Sequence, residues 1–187
     1  MGGMAQRVHE FDWPDRLVIG TVGRPGERSF YLQARTGEHL VSALMEKEQS
    51  ATLAEKLDEV LDELMAQEGN PFSVPAEAPE GLDDDAPLDS PVVEQFRVGI
   101  LSLGFDPTTA QVVIEAFPLV EDSPESLLEP EPEGPSEVLH VRIPVGAARS
   151  FCKRTREVVG AGRPLCPLCF EPIDGDGHVC GGADDAW

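Results

Sequence analysis

Three cysteines and one histidine near the C-terminus are the residues best suited to chemistry. Cys166 and Cys169 form a CxxC pair, and His178 and Cys180 form an HxC pair that begins nine residues later. Residues two apart share one face of an extended strand, so a short hairpin can bring both pairs to one ion. Three thiolates and an imidazole complete a tetrahedral Zn²⁺ site and leave no open coordination position. We therefore expect a structural zinc knob, similar to a small zinc ribbon, and not a catalytic metal.

Other interpretations of the cysteines stay open. The CxxC could be redox-active, although it neither begins a predicted helix nor follows a thioredoxin-like βαβ unit. The cysteines could also be unrelated to one another. Cys152 lies in the middle of a predicted helix beside its apolar face, where we expect an inert core thiol.

Five ionisable residues gather near the first predicted strand: His9, Glu10, Asp12, Asp15 and Arg16. Carboxylates beside a histidine could do acid–base work. This is the weaker of two interpretations, because nothing in the sequence fixes a substrate geometry. We expect these residues to form a hydrogen-bonded entry into the sheet.

A cationic stripe is predicted on the last helix. Arg149, Lys153 and Arg156 share one helical face at spacings of four and three residues. The stripe could balance acidic groups of the same protein, or it could dock an acidic partner or a phosphorylated ligand.

Hydrophobic periodicity predicts three strands and a helix, twice. The first set covers residues 16–22, 29–35, 39–44 and 46–67. The second covers 94–105, 111–117 and 138–143, followed by a helix that Pro144 begins and Gly162 ends. A change of apolar phase predicts a β-bulge near Ile100. The pattern indicates an α+β fold in which two βββα units form one or two antiparallel sheets, with both helices on one face.

Two proline-rich acidic segments interrupt this pattern. Residues 68–94 hold eight acids and residues 121–137 hold seven, with no lysine or arginine in either. Such segments bury little apolar surface, so we expect mobile loops. The predicted organisation is an α+β domain over residues 1–161 and a zinc knob with its tail over residues 162–187.

The formal charge of −21 disfavours nucleic acid and anionic membrane surfaces as partners. The sequence contains no apolar run long enough to span a bilayer and no signal segment. We expect a cytoplasmic protein, in which thiols stay reduced and bind metal.

Several segments together resemble one known family. They are VHEFDWPDR (8–16) continuing to GTVGRPGER (20–28), LMEKEQ (44–49), and GRPLCPLC (162–169) with HVC (178–180). They are similar to the actinobacterial DUF3090 family of uncharacterised proteins. The resemblance implies a pathway shared with a histidine-phosphatase-like protein and a protein related to phosphoinositide kinases. It implies no catalytic residues.

The sequence thus favours a non-enzymatic adaptor or scaffold with a structural zinc site that binds a protein partner. The alternative is an enzyme that acts on a phosphorylated substrate through the cluster at residues 9–16. Signatures of phosphate-binding loops, hydrolases, metalloproteases and kinases are absent from the sequence.

Overall fold

The computed structural model describes residues 7–24, 27–82, 84–119 and 137–160. These residues form one seven-stranded sheet and two α-helices. The strands are β1 (Arg7–Asp12), β2 (Arg16–Val22), β3 (Ser29–Thr36), β4 (His39–Met45), β5 (Glu94–Asp106), β6 (Gln111–Pro118) and β7 (Glu137–Pro144). The helices are α1 (Lys47–Met65) and α2 (Val145–Gly160). The predicted α+β class is confirmed.

The strand order is β1-β7-β6-β5-β4-β3-β2. Two antiparallel meanders, β2-β3-β4 and β5-β6-β7, meet where β4 runs parallel to β5. This pairing is parallel because α1 carries the chain across between the two strands, as parallel neighbours require. The sheet is therefore mixed, whereas the sequence predicted only antiparallel pairs.

Strand β1 was not predicted as a strand. It pairs in parallel with β7 at one edge of the sheet. His9 and Phe11 are its buried residues, and the intervening positions are exposed. The described elements thus run in the order βββα twice after β1, but a relationship between the two halves as repeated units is not confirmed.

Helix α1 follows the predicted apolar stripe closely. Leu53, Leu57, Leu61 and Leu64 are all buried. Gln49 fixes the start of the helix in two ways: its Oε1 accepts a hydrogen bond from the Glu46 backbone N–H at 2.8 Å, and its Nε2 donates to the Val98 carbonyl at 3.0 Å. The first turn of α1 is thereby attached to β5.

The predicted bulge in β5 is confirmed. The register between β5 and β6 shifts between Val98 and Ile100. Gly99 lies within the shift, and a Cβ at this position would lie 2.7 Å from the Leu119 Cα. Glycine is required here because the two backbones approach too closely for a side chain.

The sheet curls around its core. Helix α2 contacts β2 at one edge of the sheet and also β7 and β6 near the other edge. Phe11 in β1 stacks on His39 in β4 with 4.8 Å between ring centroids. Strands so far apart in the sheet order can meet only if the sheet curves strongly. The seam of the curled sheet, where β2 faces the end of β7, is closed in part by α2.

The first acidic segment lies against the sheet. Leu88 is buried, and its Cγ would lie 2.6 Å from a Cβ at Gly20 in β2. Gln33 in β3 donates to the Asp89 carbonyl and accepts from the Asp89 N–H, at 3.0 and 2.8 Å. These contacts must break if the segment moves, and its mobility stays a prediction.

The second acidic segment, apart from Glu137 in β7, and the zinc knob lie outside the described residues, as does the boundary between the two predicted domains. Neither helix of the described residues is long and apolar enough to cross a membrane.

Candidate functional site

A cavity of about 320 Å³ lies at the seam of the curled sheet. We call it the seam cavity; its lining includes Trp13, Asp15, Arg16, Leu17, Leu82, Asp84, Ile143, Ala147, Ser150, Phe151 and Arg154. The turn after β1, the start of β2 and the first turns of α2 supply most of these residues. Apolar and charged groups therefore converge on one concavity, which is the usual composition of a small-molecule site.

Trp13 stands out among the residues of the seam cavity. Trp13 is 63% exposed, and its backbone φ is 56°. A bulky residue rarely adopts the left-handed region, and the cost is on the order of 1–3 kcal/mol. The Trp13 N–H donates to the Arg142 carbonyl at 3.1 Å, which holds the strained turn in place.

Two arginines converge on Asp84 beside the cavity. Arg16 Nε and Nη2 donate to the two carboxylate oxygens of Asp84 at 2.7 and 3.0 Å. Arg154 Nη1 is 3.4 Å from Asp84 Oδ1 and also donates to the Asp84 carbonyl. These donors hold the pKa of Asp84 below its usual value, mainly through the hydrogen bonds from Arg16, and the same bonds raise the pKa of Arg16. The carboxylate fastens the acidic segment to β2 and α2.

Ser150 contributes a polar atom that is not satisfied. Its Oγ is buried and has no hydrogen-bond partner among the described residues. Buried hydroxyls nearly always have a partner in native proteins. Ser150 also belongs to the lining of the seam cavity, so its hydroxyl is an unpaired donor and acceptor beside the cavity.

A second, wider concavity of about 610 Å³ lies between the two helices. We call it the inter-helix groove; its lining is Asp58, Asp62, Ala76, Glu77, Ala78, Arg149, Lys153, Arg156 and Glu157. All three members of the predicted cationic stripe therefore line one surface. Four acidic residues share that surface with them.

The three cations of the stripe differ in their surroundings. The Arg149 side chain is only 6% exposed and binds Asp58 at 2.9 Å and Asp62 at 2.7 Å. Lys153 is exposed. The Arg156 side chain is 59% exposed and binds Asp58 from the outer side. Arg149 thus joins α2 to α1 from within, while Lys153 and Arg156 face the groove from its rim.

The predicted cluster at residues 9–16 does not share a common contact. His9 Nε2 lies 2.9 Å from Glu137 Oε2, and its ring stacks on Phe96 inside the sheet. Arg16 instead binds the acidic segment on the far side of the seam.

The acids of this cluster also have separate positions. Asp12 accepts from the Gln111 amide at 2.9 Å, and Asp15 accepts from the Gly37 N–H at 2.7 Å. Glu10 is exposed in β1. The structure therefore gives these residues contacts typical of strand ends and turns, as expected for an entry into the sheet.

Cys152 is buried in α2. Burial raises the pKa of its thiol to about 12, with the charge of Asp58 acting in the same direction. A thiol with this pKa is almost entirely protonated at neutral pH, and the thiolate is the reactive form. The expectation of an inert core thiol agrees with this environment.

The predicted zinc ligands, Cys166, Cys169, His178 and Cys180, lie outside the described residues. Within residues 7–24, 27–82, 84–119 and 137–160, no group of three or more His, Cys, Asp or Glu side chains is arranged to hold a metal ion. The zinc site stays a prediction.

Sequence reasoning did not identify Trp13, Ser150 or Arg154 as site residues. Arg154 was visible only as one more cation beside the stripe, and Ser150 carries no motif. Trp13 entered the sequence analysis only as part of a segment that resembles the family, and the left-handed conformation of a tryptophan has no sequence signal. These residues meet only because the sheet curls.

Residues 9–180 match the family described as "Protein of unknown function (DUF3090)". The chain belongs to the DUF3090 family. The match spans the whole of the described sheet and helices except the first two residues of β1, and it also includes the predicted zinc ligands. The resemblance of the sequence segments is thereby confirmed. No curated protein and no solved structure shows significant similarity to the chain.

Proposed function

We propose that this DUF3090 protein is a non-enzymatic adaptor or scaffold that binds a protein partner and carries a structural zinc site. The inter-helix groove supports this proposal best. It is a surface concavity in which Lys153 and Arg156 are exposed at the rim while Arg149 anchors the floor. Arginine is enriched at the energetically important positions of protein interfaces.

The charges of the groove define the partner segment. Three cations and four acids line it, so a purely acidic segment would be repelled by Asp62, Glu77 and Glu157. A segment that carries an acidic group opposite Lys153 and Arg156 and a basic group opposite Glu77 would be complementary. The groove therefore suits a partner with mixed charges better than the purely acidic one expected from the stripe alone.

The zinc proposal rests on the ligand set at residues 166–180, which begins shortly after α2 ends. A closed Cys₃His site would supply most of the folding free energy of so short a segment, on the order of 10 kcal/mol. The bound metal would then make the knob a rigid unit that follows α2 in the chain. Reduced thiols suit the cytoplasm, which we propose as its location.

Affinity purification from the native host at endogenous level tests the partner proposal. The wild-type chain, a Lys153→Ala/Arg156→Ala double variant and a Lys56→Ala control are compared by mass spectrometry. Lys56 is a lysine of α1 with a side chain that is 58% exposed. We expect a partner recovered with the wild type and the control and lost with the double variant; the phosphatase-like and kinase-like proteins implied by the family resemblance are the first candidates. Equal recovery with all three chains would refute docking in the groove.

Zinc is tested by elemental analysis together with thiol counting. We expect one zinc per chain, reduced to none when Cys166 and Cys169 are both replaced by Ser. After chelation, three thiols should react with a disulfide reagent, and the Cys152 thiol should react only on unfolding because it is buried and protonated. Less than about half an equivalent of zinc after expression with metal supplied would contradict the predicted site.

A further inference from the structure

We propose that the seam cavity binds a small organic acid, a carboxylate with an aromatic or branched apolar body. This inference goes beyond the adaptor function and does not depend on it, because the cavity and the inter-helix groove are lined by different residues.

The apolar body would lie against one side of the cavity. Leu17, Ile143, Ala147 and Phe151 line it, and these residues come from β2, β7 and α2. Trp13 adds an exposed indole at the same concavity, where it can cover a bound ring. A volume of about 320 Å³ lies at the lower end of the range of about 300–1,000 Å³ for ligand sites. The ligand is therefore small.

Two residues in the lining of the seam cavity can donate hydrogen bonds to the carboxylate of the ligand. The Ser150 Oγ is buried without a partner in the described residues. Arg154 uses Nε for the Ile19 carbonyl at 3.1 Å and Nη1 for Asp84. None of these bonds uses its Nη2. A carboxylate has two oxygens, which matches one hydroxyl donor and one guanidinium donor.

Two carboxylates in the lining would oppose an anion, but both already accept hydrogen bonds. Asp15 Oδ2 accepts from the Gly37 N–H at 2.7 Å. Asp84 is held on both oxygens by Arg16. Arg154 lies 3.4 Å from the Asp84 carboxylate, so its charge is less fully neutralised than the charge of Arg16.

The ionisation of Arg154 is consistent with this placement. Burial is the largest influence on Arg154 and lowers its pKa, and the attraction of Asp84 only partly opposes that effect. A bound carboxylate would favour the charged guanidinium and so would bind it more tightly than a neutral group of the same shape.

Trp13 offers a direct optical test, because the chain contains only two tryptophans. In a Trp187→Phe variant of the full chain, all tryptophan emission comes from Trp13. Phenylacetate is titrated against this emission, and phenylacetamide serves as the neutral ligand of equal size. We expect a saturable change with phenylacetate and binding weaker by about tenfold or more with phenylacetamide, because a charged hydrogen bond is lost.

Two substitutions in the same background locate the site. Ser150→Ala should weaken phenylacetate binding by about tenfold, whereas Ser102→Ala on the exposed part of β5 should not change it. Ala147→Leu should abolish binding by filling the cavity, whereas Ala51→Leu on the exposed face of α1 should not. Thermal unfolding of each variant establishes that it is folded.

The absence of a saturable change with phenylacetate at millimolar concentration would overturn the proposal. Equal affinities for the acid and the amide would overturn the assigned acid group. Unchanged binding in a folded Ala147→Leu variant, with binding also unchanged in Ser150→Ala, would show that the ligand binds elsewhere.

Discussion

Trp13 combines a left-handed backbone, a largely exposed indole and a position at the seam cavity. Such strain persists where the surrounding structure holds it, and it is concentrated at functional sites in proteins. The indole buries little surface in compensation, so the stability of the fold alone does not account for it. The ligand contact that we propose for the seam cavity would account for it.

Replacing Trp13 with Gly and with Ala separates strain from contact. Ala keeps the penalty for φ of 56°, whereas Gly adopts this conformation without cost. We expect Trp13→Gly to unfold with a free energy about 1 kcal/mol higher than that of Trp13→Ala. Denaturation in urea measures the difference, and a less stable glycine variant would contradict the strained backbone.

Arg149 illustrates what a sequence can predict about a residue and what it cannot. Its place on a cationic face of α2 was predicted from spacing alone. Its burial was not, because the acids that bind it, Asp58 and Asp62, belong to α1, and helix pairing leaves no mark in the spacing. The stripe contains one structural residue and two surface residues, which periodicity cannot distinguish.

Arg149→Ala should destabilise the protein on the order of 3 kcal/mol, because it leaves Asp58 partly buried without its inner partner. Asp62→Ala should cost less than about 1 kcal/mol, since the Asp62 side chain is 62% exposed and its ion pair is solvated. Chemical denaturation of both variants gives the comparison. Equal losses of unfolding free energy in the two variants would mean that the burial of Arg149 contributes little to stability.

Among the elements, β2, β3 and β4 were predicted to within a residue or so. Apolar and polar residues alternate along β3, and turn residues separate it from the apolar runs of β2 and β4. Strand β1 was missed. Only His9 and Phe11 are buried in it, and its partner β7 is more than a hundred residues away in sequence. A short edge strand with one apolar inward residue gives too weak a period to detect.

The mobility predicted for the first acidic segment depends on contacts that the sequence does not show. Its composition predicted a mobile loop, while Asp84, Leu88 and Asp89 contact β2, β3 and α2. Arg16 and Arg154 are spread along the sequence, so the match between acids and arginines could not be read from it. Hydrogen exchange of residues 84–89 would measure the remaining mobility.

Asp84→Asn should make the attachment of the first acidic segment to β2 and α2 independent of pH. The pKa of Asp84 is lowered in the folded protein, so its carboxylate stabilises the fold at pH values above the unfolded pKa of about 3.9. The contribution is lost as the pH falls through the lower folded value. We expect wild type to be more stable than Asp84→Asn at pH 7, and the difference to shrink as the pH falls below the unfolded pKa towards the lower folded pKa of Asp84.

Unfolding in urea at a series of pH values measures this difference. The exposed neighbour Asp85 provides the control, and Asp85→Asn should follow the wild type throughout. A constant gap between Asp84→Asn and wild type down to pH 2 would show that the carboxylate charge is not responsible.

At the scale of the whole molecule, the curl of the sheet creates both concavities. It brings α2 against β2 and places the turn after β1 beside them, which forms the seam cavity. It also packs the two helices side by side, which forms the inter-helix groove. Neither surface could be predicted from the sequence, since curvature depends on long-range pairing between β1 and β7 and between β4 and β5.

The most direct test of the adaptor account is the affinity of a purified partner for the inter-helix groove. Calorimetry with the full chain, expressed with zinc supplied, would compare wild type, Lys153→Ala/Arg156→Ala and the control Lys56→Ala. The account predicts that the double variant binds at least about tenfold more weakly, as loss of interface charge pairs implies, and that the control binds as wild type does. Equal affinity of the double variant and wild type would contradict it.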